Sequence, residues 1–132
     1  MKKTILTFIV LIMTMIAVYA FHFRSNESQL IIGTWVAEGE TLSSRWVFDA
    51  NGKCTKYDDN EVYGVYNYQF STTTPQCGID VDTGPDDKYL KFENVENRRD
   101  ESCFLLDFID GGKLSIIFLG VSSYEPTLFL KQ

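Results

Sequence analysis

The residues of this 132-residue chain whose types could do chemistry are few and scattered. His22 is the only histidine, and it stands at the end of an apolar N-terminal run. Ser43, Ser44, Ser122 and Ser123 have neither a base nearby in sequence nor a nucleophile-elbow pattern around them. Glu38 and Glu40 make a carboxylate pair of the kind found on ordinary surfaces. Catalysis needs a base with a nucleophile or a metal in one pocket, so these positions predict no enzyme. Asp80, Asp82, Asp86 and Asp87 put four carboxylates within eight residues. Hard oxygen ligands suit calcium, but no glutamate closes this loop at the distance a calcium loop requires. A solvated acidic turn is expected there, with no metal and no cofactor.

Cys54, Cys77 and Cys103 lack a neighbouring histidine, which argues against zinc. Their meaning depends on the compartment, and the first twenty residues address that. Lys2 and Lys3 precede an uncharged apolar stretch that ends in Val18-Tyr19-Ala20, the three parts of a secretory signal. Cleavage is expected between Ala20 and Phe21. The alternative is an uncleaved anchor, since the apolar run is just long enough to cross a bilayer. Either way the rest of the chain is expected in the periplasm or outside the cell. In that oxidising setting three cysteines imply one disulfide and one free thiol. Cys77 lies in the only long connection and is one partner. The outward parity of Cys103 favours Cys77–Cys103, and Cys54–Cys77 is the alternative.

Removing residues 1–20 leaves ten basic against eighteen acidic residues, a net charge of −8. Nucleic acid is thereby excluded as a partner, because phosphate binding needs clustered Lys and Arg. A membrane is expected as a partner only if residues 1–20 stay attached.

The elements that must position any site read as strands. Segments 32–38, 43–49, 53–57, 63–70, 88–95, 102–109, 113–119 and 127–131 alternate apolar and polar residues and are bounded by turn formers. In 63–70, for example, Tyr66, Tyr68 and Phe70 share one face while Asn67 and Gln69 share the other. Asp49-Ala50-Asn51-Gly52 and Asp110-Gly111-Gly112 are hairpin turns. All connections except 71–87 are too short for anything but antiparallel neighbours. An eight-stranded antiparallel up-and-down β-barrel accounts for this order and leaves no exposed edge. Residues 21–31 form a linker with a short helical turn, for which Asn26 is the candidate cap, and 32–132 form the barrel. Leu30 and Ile31 either cross the open end of the barrel as a lid or belong to a frayed terminus.

Gly33-Thr34-Trp35, on the first strand directly after the possible helix, resembles the Gly-x-Trp signature of lipocalins and related calycin barrels. The hairpin 48–53 also looks like the second hairpin of small lipocalin-like domains in secreted bacterial proteins. The resemblance spans residues 32–131. It implies that Trp35 packs at the closed end of the barrel beneath a basic residue of the last strand. Lys131 takes that place here, where the family usually has arginine.

Parity along the strands predicts an inward set that includes Trp46, Phe48, Tyr66, Tyr68, Phe92, Phe104 and Phe108. Two functions from different classes follow. A hollow barrel would be an aromatic calyx binding a small apolar molecule, with tyrosine hydroxyls orienting it. A filled barrel would be a solid-core module that engages a protein partner, such as an envelope component or an inhibitor.

Overall fold

The computed structural model describes residues 26–122 and 124–132. The expected signal or anchor segment over 1–20, its cleavage junction, His22 and Ser123 lie outside the described residues. Among those described, no helix is long and apolar enough to cross a membrane.

The described residues begin with a short helix α1 (Asn26–Leu30) and continue through eight strands. These are β1 (Gly33–Ala37), β2 (Arg45–Phe48), β3 (Lys53–Asp58), β4 (Glu61–Ser71), β5 (Lys88–Asn94), β6 (Glu101–Ile109), β7 (Lys113–Phe118) and β8 (Pro126–Lys131). Each strand pairs antiparallel with the next, and β1 pairs with β8 from Trp35–Lys131 to Ala37–Phe129, closing the barrel. The all-β up-and-down architecture expected from the alternation is therefore present.

Local chemistry sets the turns. The Asp49 carboxylate accepts hydrogen bonds from the backbone of Asn51 and Lys53, and Gly52 supplies a positive φ of 81°. Asp110 does the same for Gly112 and Lys113, and those two bonds hold its carboxyl below the usual range. The β3–β4 turn is tighter than expected. Asp59 and Asn60 both adopt positive φ, 47° and 66°, which makes a two-residue turn that matches strand twist. Asp58 and Glu61 consequently pair within the ladder instead of forming the turn.

Two bulges re-aim side chains. The register shifts between Lys56 and Tyr57 against β4, and between Leu106 and Phe108 against β7. An extra residue bends a strand and increases its coiling, as barrel closure requires. At the second bulge the extra residue is Asp107, whose carboxylate accepts the Ser115 hydroxyl at 2.9 Å. Past it, parity inverts. Phe108 stands across from Ser115, on the opposite side from Leu114 and Ile116, and is 43% exposed. The expectation that Phe108 points inward is thus corrected; Ile109 packs against the core in its place.

The connection 72–87 runs along the outer wall. Cys77 forms a disulfide with Cys103 on β6, with Cα atoms 6.1 Å apart, and Ile79 and Val81 pack near it against Tyr89 and Leu119. Cys54 is the free, buried thiol. The Lys91 ammonium donates to the Gln76 carbonyl and pairs with Glu101 at 2.8 Å, fastening the same strap.

Candidate functional site

The barrel has a closed end, at α1, and an open end at the β1–β2, β3–β4, β5–β6 and β7–β8 connections. At the closed end Ile31 is fully buried and accepts the Trp35 indole N–H on its carbonyl at 2.6 Å. The residue after α1 is therefore a plug at the closed end, which corrects the expected lid over the open end and sets the frayed alternative aside. An ion pair between Glu27 and Lys88 ties the helix to β5 and lowers the Glu27 pKa. Lys131 crosses beneath this plug, donating to the Leu30 carbonyl at 3.0 Å with its ammonium 5.1 Å from the Trp35 ring centroid. Gly33 makes room for it. A Cβ there would lie 2.6 Å from Lys131 Cε, and the φ of +136° disfavours any side chain.

Above the plug the interior is packed solid. Phe48, Cys54, Leu90, Phe92, Leu114 and Ile116 are almost entirely excluded from solvent and belong to one cluster. Phe92 meets Trp46 and Phe104 edge to face, at 5.4 Å and 5.6 Å between ring centroids.

The packing gives out toward the open end, where a cavity of about 370 Å³ remains. Trp46 of β2, Tyr66 of β4, Phe104 of β6, Phe118 of β7 and Phe129 of β8 form its apolar walls. Ser102, Thr127, Tyr63 and Asp100 stand around it. Lys56 enters from β3. Its ammonium lies 4.0 Å from the Trp46 ring centroid, 4.4 Å from Phe92 and 4.5 Å from Tyr66. Phe92 itself is fully excluded from solvent.

This environment shifts the ionisable groups. Burial among rings pulls the Lys56 pKa below its ordinary value, partly opposed by Cys54 and Asp100. Burial likewise pushes the Cys54 thiol up to about 12, so it stays neutral. The Tyr66 hydroxyl is raised by burial first and by the negative charge of Asp100 second.

The expected calyx residues separate into four places. Trp46, Tyr66 and Phe104 line the open cavity, while Phe48 and Phe92 lie in the packed core beneath it. Tyr68 belongs to the closed half, where its hydroxyl donates to the Asp49 carbonyl at 2.8 Å. Phe108 is outside the barrel. Lys56 was not among the expected residues, although Cys54 and Lys56 share parity on one short strand. An inward Cys54 requires an inward Lys56.

A second cavity, of about 480 Å³, lies outside the wall between Asp80, Asp82 and Tyr89. Asp87 there accepts from the Gly84 backbone at 2.6 Å, which makes it a turn-capping group. Among the described residues no cluster of His, Cys, Asp and Glu is arranged to hold a metal.

Fold and site together define a class: a small closed antiparallel barrel, plugged and packed at one end and open at the other. Comparison of the chain with protein-family models and with curated proteins yields no match.

Proposed function

We propose that this protein is a non-enzymatic, lipocalin-like carrier or sensor that binds a small, largely apolar molecule at the open end of its barrel. The observation that supports this reading is the aromatic cavity of about 370 Å³ at the strand ends. Small-molecule sites are concave, mainly apolar and furnished with a few polar groups, and their volumes run from about 300 to 1,000 Å³. A plug at one end and access at the other is also what a calyx requires. The Gly33, Trp35 and Lys131 contacts reproduce the closed-end arrangement that the resemblance implies.

The Cys77–Cys103 disulfide fits an oxidising compartment, and the signal-like residues 1–20 fit export, so the proposed location is periplasmic or extracellular. The alternative function, a solid-core interaction module, draws on the packing around Phe48, Leu90 and Phe92, which confines any ligand to the upper part of the barrel.

Native mass spectrometry of protein exported from its full-length gene distinguishes the two. The carrier predicts an adduct of roughly a few hundred daltons that is lost on denaturation, a size that suits the cavity. A bare protein mass from every preparation would overturn the carrier in favour of the solid-core module. The same spectrum reports whether residues 1–20 have been removed.

A further inference from the structure

Among the described residues Lys56 is the one cation lining the mouth cavity, and it forms no ion pair. No carboxylate lies within ion-pair distance, and no acceptor takes a hydrogen bond from its ammonium. Neither acidic group nearby forms an ion pair with it. The Asp100 carboxylate accepts from the Asn94 side chain at 3.0 Å, and the buried Cys54 thiol is neutral. Ring faces of Trp46, Phe92 and Tyr66 attract the charge without accepting conventional hydrogen bonds from its three N–H groups. A half-buried charge without an ion pair is costly, and an anion entering the cavity would supply the partner.

We infer that the mouth cavity selects a compact organic monoanion, such as an aromatic or short-chain carboxylate, whose charged group meets Lys56 while its apolar body rests against Trp46, Phe104 and Phe118. This inference rests on the cavity being a ligand site and adds the ligand's charge and orientation. The orientation follows from placement. Lys56 lines the cavity beside Trp46 and Tyr66, whereas Phe118 is 40% exposed at the rim. The charged group of the ligand therefore lies on the Lys56 side of the cavity. The size of the cavity restricts the body to one or two rings or a short chain. Asp100 at the rim and the acidic balance of the chain disfavour a second negative charge on the ligand.

The test is calorimetric titration of the wild-type protein with naphthoate, with its neutral isostere naphthalenemethanol, and with the cationic naphthylmethylammonium ion. Naphthoate should bind roughly tenfold or more tightly than the alcohol, as a charge-assisted hydrogen bond exceeds a neutral one. The ammonium compound should bind weakest. In Lys56→Met the preference for the anion should vanish while the alcohol still binds, and Lys56→Arg should retain it. Equal affinity of wild type for acid and alcohol would overturn the inference and leave the carrier reading standing. Tightest binding by the ammonium compound would also overturn it, showing that the three rings form a cation cage from which Lys56 is displaced. Failure of all three to bind would count against the cavity as a site for compact ligands, and so against both readings. The wild-type comparison needs no variant, so a folding defect in Lys56→Met cannot rescue the idea.

Discussion

Lys56 shows how one residue can cost a barrel stability. Its ammonium is surrounded by Trp46, Tyr66 and Phe92, and burial holds its pKa below the ordinary lysine value. The groups facing it are Cys54 on its own strand, Tyr66 and Tyr63 on β4, and Asp100 in the β5–β6 connection. A depressed lysine pKa means that the unfolded chain binds more protons than the folded one between the two pKa values. Stability then rises with pH across that window, and below it the charge opposes folding in full. Lys56→Met is accordingly expected to melt higher than wild type at neutral pH. The gap should narrow as pH climbs toward the lysine range. Thermal melts of both proteins at several pH values read this directly. A variant that melts lower at neutral pH, or a gap that ignores pH, would show that the rings compensate the burial. The missed significance of Lys56 has a plain cause. A lysine in a short strand reads as surface until its parity is compared with that of its buried neighbour, Cys54.

At the scale of elements, the strap 72–87 depends on one bond more than on its own packing. Ile79, Val81 and Cys77 of the strap pack against the outer-wall cluster and Pro75 is buried, but most of its other residues are exposed. The Cys77–Cys103 link spans 26 residues of sequence, a closure that stabilises by about 3 kcal/mol through restriction of the unfolded chain. Cys77→Ser should lose about that much in urea unfolding. In hydrogen exchange, the strap amides should lose protection first, while the β4–β5 ladder keeps its own. A variant whose strap stays as protected as in wild type would mean that Ile79 and Val81 suffice to hold it. Sequence parity favoured this pairing because Cys103 points outward and only a connection climbing the wall could reach it. The bulge at Asp107 was not legible in the same way. An unbroken alternation Phe104, Leu106, Phe108 reads as one inward face, and only the register against β7 shows that it breaks.

The whole molecule is a single hydrogen-bonded circuit. Every strand has two partners, and the circuit closes through the short β1–β8 ladder from Trp35 to Ala37. No edge strand is left for pairing with another chain. One continuous cluster also reaches from Ile31 at the plug to Phe129 beneath the mouth. Neither half of such a barrel keeps its core when the other opens. Urea unfolding followed by the near-ultraviolet signal of the aromatic interior and by the far-ultraviolet signal of the strands should therefore give coincident transitions. Separate midpoints would show that the plugged half and the open half are independent cooperative units.

The sequence by itself determined the strand count, the antiparallel order, the principal turns and the class of fold, because period-two alternation and turn chemistry are local signals. It also pointed to Gly33, Trp35 and Lys131 as a group, and narrowed the disulfide to two pairings. Where the interior is filled and where it is hollow was decided only by tertiary structure. Parity assigns a side chain to the inside of a barrel but does not say at what height along the axis it stands, or whether its neighbours across the lumen fill the space beside it. Phe92 and Phe104 share that inward parity; strand stagger sets one in the packed core and the other at the cavity wall. The same stagger brings Lys56 over the rings of Trp46, Tyr66 and Phe92, three strands whose residues share no local pattern with it.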